Sequence, residues 1–385
     1  MQVYVRTQGA RIVKEGRHLL VRKGDGIYQT LFVYKLRQLL IFGNIDITHS
    51  ARTLLMRGGI DTVFLTRNGR YLGRLTPEEA KNVFLRKRQF LLTEDSSFCR
   101  STAVSIVAGK MKNMSVFLLR IRRARKVKIV GQYARQIRHL LPKLDQTDSI
   151  DSLRGYEGRA SALFFKGFPH GFVLPQGFHR RVRRPPTDPV NAVLSLLYTL
   201  LMNRVYAAVR TTGLDPYPGC LHSLDYGRYS LVLDLMEEFR TPVVDTLTLS
   251  LFNLNILKPA DFRKEQDHQV KQTAAGDVSL PDVCADPMGK MALSSQDAEG
   301  FDMPVQRMAD TPAQEVPPMG KPPVRLCEEA FRRVIDAFER KLTQCFHHPL
   351  ADRQMTYAEA IRFQVGQYRK LVEGDLKTYQ PFQLK

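Results

Sequence analysis

At Thr76-Pro77-Glu78-Glu79 the hydrophobic period of the chain changes, and that change restricts the fold more than any other feature. Before it, apolar and polar residues alternate in short runs: Gln2 to Arg6, His18 to Arg22, Leu31 to Tyr34, Gln38 to Ile41, Ile45 to Thr48, Val63 to Leu65 and Gly73 to Leu75. Alternation with period two, broken by turns such as Asn68-Gly69, predicts strands. One helix interrupts them at Ser50 to Arg57, where the apolar spacing becomes helical and Gly58-Gly59 ends it. After Thr76 the spacing is helical almost throughout. Thr76 as N-cap, Pro77 at the first helical position and Glu after it form a strong helix start. The expected class is α+β: a small N-terminal β-rich domain over residues 1–85, followed by a larger all-helical domain.

The charge balance narrows the partners. The 385 residues carry 58 Lys and Arg against 38 Asp and Glu, a formal net charge of +20. Such an excess faces something anionic, first of all nucleic acid. No stretch approaches the roughly 20 apolar residues of a membrane helix, so no membrane partner is expected. The N-terminus enters strand-like alternation at once, without the basic and apolar regions of a secretion signal. Five scattered cysteines with no CxxC pair suit a reducing cytoplasm and argue against a zinc ribbon or disulfide frame.

Two basic segments stand out within the helical part. Residues 100–143 hold 12 Lys and Arg and no Asp or Glu, with apolar residues interleaved. A solvated helix face normally intersperses acids, so a phosphate-tracking surface is the better reading. The second cluster is Arg180-Arg181-Val182-Arg183-Arg184. The expected DNA contacts are Arg122, Arg123, Arg125, Lys126, Arg181, Arg183 and Arg184. Residues 274–324 are different: they hold eight of the 21 prolines, few core-forming residues and a net charge of −5. That composition predicts a disordered or loosely ordered insertion. It divides the helical part into 86–273 and 325–385.

Three segments carry residues suited to chemistry. Glu157 lies between small and apolar residues in Gly155-Tyr156-Glu157-Gly158, where a buried acid needs a partner or a metal. His222 ends the turn-rich stretch Gly213 to His222. In Ser230 to Arg240, Asp234 lies one helical turn from both Glu237 and Glu238 among interleaved apolar residues. Each alone has a plainer reading: a structural salt-bridge acid, a satisfied histidine, an exposed acidic turn. Together they offer carboxylates and an imidazole, a hard-donor set suited to Mg²⁺ or Mn²⁺ and to phosphodiester chemistry. Spacing in the sequence does not show that the three segments meet.

The stretch Arg183-Arg184-Pro185-Pro186-Thr187-Asp188-Pro189-Val190-Asn191-Ala192-Val193-Leu194-Ser195, then Tyr198-Thr199-Leu200-Leu201, resembles the CRISPR-associated integrase/endonuclease family, counted first in the Cas adaptation series. The Tyr156-Glu157-Gly158 element, the Gly213 to His222 loop, the Ser230 to Arg240 segment and the end from Tyr357 to Pro381 occur there in the same order. The resemblance implies a β-rich dimerisation domain, a helical catalytic domain and metal ligands at Glu157, His222 and Glu237. Asp234 matches a further acidic position that supports the site, and Asn191 a polar position near it. It implies homodimers that join the second Cas adaptation protein, capture short double-stranded DNA and insert it into a CRISPR array by 3′-hydroxyl attack on a backbone phosphate. His222 is either a ligand only or also an acid to the leaving oxygen. The 274–324 insertion departs from the family's shorter connection. Two rivals share the basic surfaces: a structure-specific DNA repair nuclease, and a non-catalytic DNA-binding scaffold.

Overall fold

The computed structural model describes residues 1–76, 82–182, 185–264 and 322–384. The N-terminal domain is built from two four-stranded sheets. One has the order β1 (Gln2–Val5), β5 (Gln38–Phe42), β7 (Asp61–Leu65), β8 (Tyr71–Leu75). The other has the order β4 (Gly26–Phe32), β3 (His18–Lys23), β2 (Arg11–Glu15), β6 (Asp46–Ile47). The helix α1 (His49–Arg57) covers the region where the sequence spacing turns helical; the Thr48 hydroxyl accepts the Ala51 amide at 3.3 Å, and Gly59 at φ +66° follows its end. Strand β2 escapes the alternation pattern because only Ile12 of its five residues is buried.

The central strand β5 joins the two domains. It is buried along its whole length, and its side chains divide by period two. Leu39 and Ile41 share a cluster with Val3, Ile12, Leu19 and Leu31 from both sheets. Leu40 and Phe42 belong to the core of the helical domain, where Phe42 meets Phe331 edge-on with ring centroids 5.3 Å apart. Polar groups reinforce the contact. Arg74 pairs with Asp61 at 2.9 Å, donates to Asn203 Oδ1 at 2.6 Å and stacks on Tyr206 at 3.5 Å.

Residues 77–81 lie outside the described residues, and most of the expected helix start at Thr76-Pro77-Glu78-Glu79 falls there. The first described helix of this domain is α2 (Val83–Glu94), whose Asn82 cap accepts the Leu85 amide at 3.0 Å. Then follow α3 (Ser96–Arg125), α4 (Lys128–Leu144), α5 (Ile150–Gly167), α6 (Pro189–Thr212), α7 (Ser230–Phe239) and α8 (Thr246–Asn253). The last helices are α9 (Glu328–Thr343) and α10 (Tyr357–Glu373). Two ribbons are added to the helices: β9 (Phe262–Lys264) pairs with β10 (Val324–Leu326), and β11 (Cys345–His348) with β12 (Arg353–Thr356). Of the proline-rich stretch 274–324, residues 274–321 lie outside the described residues, and Val324 opens β10.

The basic run 100–143 is two helices rather than one, separated at Lys126, which takes the left-handed conformation at φ +57°. Helix α3 is central and packs on α4, α5 and α7. Against the sequence expectation that no stretch is long and apolar enough to cross a membrane, helix α6 is so by length and composition, with mean hydropathy 1.5 over its most apolar window, but 72% of that window is buried. Its apolar character matches its place in the core.

Candidate active site

Three elements distant in the sequence meet beside α3. Helix α5 presents Glu157, α7 presents Asp234 and Glu237, the loop between α6 and α7 presents His222, and α3 presents Lys110. All five side chains are buried.

Lys110 stands between the two glutamates. Its ammonium is ion-paired with Glu157 Oε1 and lies 2.6 Å from Glu237 Oε2. The Ser161 hydroxyl, one turn along α5, donates to Glu157 Oε1 at 2.8 Å. Arg240 reaches the other oxygen of Glu237, Oε1, at 3.0 Å. Burial is the strongest influence on Glu237 and pushes its pKa up. The charges of Arg240 and Lys110, the largest of the opposing influences, outweigh it and hold the carboxyl down at about 2. Glu237 therefore stays ionised.

Asp234 does different work. Its Oδ2 accepts the amides of Cys220 at 2.6 Å and Leu221 at 2.9 Å, and its Oδ1 accepts the amide of His222 at 3.0 Å. Oδ1 also lies 2.6 Å from His222 Nδ1. An ionised carboxylate only accepts, so this contact places a proton on Nδ1, and in the neutral imidazole the lone pair is then on Nε2. A carboxylate behind an imidazole is the usual arrangement that orients a metal-binding histidine. The loop is also held from α5, where Arg154 Nε donates to the Leu221 carbonyl at 2.8 Å. Gly219 permits the close approach: a Cβ there would lie 2.6 Å from the Ser230 carbonyl carbon and 2.8 Å from Asp234 Oδ2.

Glu238 turns away from this centre although it neighbours Glu237. It accepts the Tyr379 hydroxyl at 2.6 Å, the Gln364 amide at 2.9 Å and the Phe382 backbone amide, and so ties the C-terminal segment to α7. Burial drives its pKa up to about 7 against those bonds. The acids of α7 thus divide into a pair serving the site and one serving the fold.

Asn191, at the start of α6, organises the second basic segment. Its side chain donates to the Arg180 carbonyl at 2.9 Å and accepts from Arg181 Nη1 at 2.8 Å and the Val182 amide at 2.9 Å. Arg181 and Arg240 both approach the Tyr198 ring, at 5.4 and 5.1 Å. Arg183 and Arg184 lie outside the described residues. Arg122, Arg123, Arg125 and Lys126 are exposed at the C-terminal end of α3. At 1.5 Å per residue they stand about 20 Å along the helix from Lys110.

Among the described residues no three His, Cys, Asp or Glu side chains form a ready-made metal cage. The donors nevertheless fit a hard divalent cation. Glu157 and Glu237 already share one cation, the Lys110 ammonium, and His222 keeps Nε2 available. Both Glu237 oxygens are buried without a well-formed hydrogen bond, so ion pairs are what hold them. Lys110, Arg154 and Arg240 were not singled out in the sequence. A lysine inside the buried, apolar part of an otherwise basic run was the available signal for the first.

A basic exterior, a β-rich domain packed on a helical one, and a buried carboxylate–imidazole cluster between helices define an α+β protein with a hard-donor centre. The chain belongs to the Cas1 family: the family model described as CRISPR associated protein Cas1 matches residues 3–277. A Thermus thermophilus relative named CRISPR-associated endonuclease Cas1 3 is 30% identical over 387 residues, covering 100% of this chain and 97% of the relative. The fold is shared with a casposase bound to integration product, at a TM-score of 0.74 and 18% identity over 98% of this chain and 93% of that one. It is also shared with a chain of a Cas6-RT-Cas1–Cas2 complex, at a TM-score of 0.77 and 23% identity over 100% of this chain and 36% of that one.

Proposed function

We propose that this protein is a divalent-metal-dependent DNA endonuclease and integrase of CRISPR adaptation, which joins the 3′-hydroxyl of a captured DNA fragment to a backbone phosphate of the array. The observation that carries the reading is the sharing of one cation by two buried carboxylates from separate helices, beside an imidazole whose Nδ1 is tied to a third. Glu157, Glu237 and His222 Nε2 would hold Mg²⁺ or Mn²⁺. Such an ion, when bound, stabilises charge on the phosphate and lowers the pKa of the attacking hydroxyl.

The chain's own residues supply the rest. Asp234 fixes the tautomer and orientation of His222 and the path of its loop. Arg240 keeps Glu237 ionised. Arg181, held by Asn191, brings a guanidinium beside Arg240 at Tyr198. Arg122, Arg123, Arg125 and Lys126 hold DNA through phosphates, without reading its sequence. Arg183 and Arg184 belong to the same proposed surface. The assembly read from the family is a homodimer with the second Cas adaptation protein. A related chain's presence in a complex named Cas1–Cas2 supports that partner, and the casposase bound to integration product supports strand joining as the chemistry. A scaffold that only binds DNA has no use for the buried acids.

The test is Glu157→Ala. It is expected to abolish strand transfer and cleavage of branched DNA with Mg²⁺ or Mn²⁺ while DNA binding persists. Full activity in that variant overturns the catalytic assignment.

A further inference from the structure

The position of Lys110 has a consequence beyond catalysis itself. Lys110, Glu157 and Glu237 are 3%, 7% and 1% exposed at their side chains, so water screens none of them. Two adjacent carboxylates in such a place repel each other and lose solvation unless a cation relieves them. Lys110 is rigidly placed to do so. Gly109 beside it lets the C-terminal segment close on α3, since a Cβ there would lie 2.6 Å from Pro381. One turn further, Asn113 donates to the Phe382 and Glu238 carbonyls at 3.0 and 2.9 Å and accepts the Leu384 amide at 2.7 Å. The helix therefore holds the lysine Cα fixed while its four-carbon stem delivers the charge.

Resting on the metal-dependent reading above, we propose that Lys110 is a built-in counter-ion of the catalytic pair: it neutralises Glu157 and Glu237 when no divalent cation is bound, and an entering cation must displace it. The charges around the centre support this. Glu157, Glu237 and Asp234 bring three negative charges, and Lys110 and Arg240 bring two positive ones. A divalent ion added to that set overcompensates it; with Lys110 gone, the same ion balances it. Lys110 thus keeps the metal-free protein folded and lowers the affinity for the metal, so that metal binding stays reversible.

The test compares full-length wild type, Lys110→Met, and Lys110→Met combined with Glu157→Gln, by melting temperature and by Mn²⁺ titration followed through the signal of free Mn²⁺. Lys110→Met is expected to melt lower without metal, to bind Mn²⁺ at least about tenfold more tightly, and to gain more melting temperature from Mn²⁺ than wild type does. The double variant is expected to recover the metal-free melting temperature, because the amide needs no counter-ion. A Lys110→Met protein that folds only with Mn²⁺ supports the proposal in its extreme form. Unchanged or weaker Mn²⁺ binding in Lys110→Met overturns it and leaves the metal site of the wild type standing. So does a double variant as unstable as the single one, which makes the lysine a packing element. No Mn²⁺ response in wild type and variant alike overturns both this proposal and the metal-dependent reading.

Discussion

The two domains are filled in opposite ways. The cluster between the N-terminal sheets is built on apolar side chains, from Val3 and Ile12 to Leu39 and Ile60, with the uncharged Thr62 buried opposite Leu39. The helical domain buries its charges in the middle: Lys110, Glu157, Asp234, Glu237 and Glu238 are all at most 5% exposed. An apolar core stabilises by the area it removes from water. A buried ionic cluster does so weakly or at a net cost, because desolvation offsets the attraction between its members. The contrast separates a domain held by apolar burial from one that gives up stability to keep charges together in its interior. The buried strand β5 couples the two, with Leu39 and Ile41 on one side and Leu40 and Phe42 on the other.

If that division holds, damage to the first core is thermodynamic and damage to the second is chemical. Leu39→Ala removes a fully buried side chain and is expected to cost about 2–5 kcal/mol in denaturant unfolding. Cleavage per folded molecule should stay at the wild-type level; a large fall would show that the N-terminal core reaches the site. Asp234→Asn keeps the shape of the side chain but weakens its hold on His222 and the three amides. It is expected to lower metal affinity or cleavage about 10- to 100-fold. Equal loss of folded protein would place Asp234 with the fold instead, as Glu238 is.

His348 tests the contrast from within the helical domain, away from the site. It is buried against Phe346, Phe363 and Phe382, and its Nδ1 accepts the Ala351 amide at 3.2 Å. Burial, followed by the charges of Arg353 and His347, pulls its pKa down to about 4. The unfolded chain protonates this imidazole near its ordinary value of about 6.5. Between those values the unfolded state binds more protons, so stability falls as pH drops from 6.5 towards 4. The effect is expected to be about 3 kcal/mol, and His348→Gln should flatten it in unfolding curves taken across that window. A slope unchanged in the variant would assign the acid sensitivity to another group.

The sequence announces these regions unequally. A strand with one buried face, such as β1, is legible by alternation, and α1 by its Gly58-Gly59 end. Strand β2, with a single buried residue, is not. The ribbons β9–β10 and β11–β12 are too short to carry a period. Within the site, burial among apolar neighbours marked Glu157 and the acids of α7, and the turn-rich Gly213 to His222 stretch marked His222. Helical spacing did not separate Asp234, Glu237 and Glu238, because residues three and four apart share a helix side whatever they bond to; the family resemblance alone set Glu237 as a ligand and Asp234 as its support. Lys110 was hidden for a related reason: it lies in a basic run that reads as one surface, and only the packing of α3 shows its middle to be interior and its end exposed.

The central claim is that Glu157, Glu237 and His222 surround one divalent cation. Anomalous diffraction from crystals of the full-length protein grown with Mn²⁺ tests it directly. A single strong peak is expected within coordination distance of both carboxylates and His222 Nε2, with the Lys110 ammonium moved aside. A peak elsewhere, or intact Mn²⁺-dependent cleavage with Lys110 still seated between the glutamates, would contradict it.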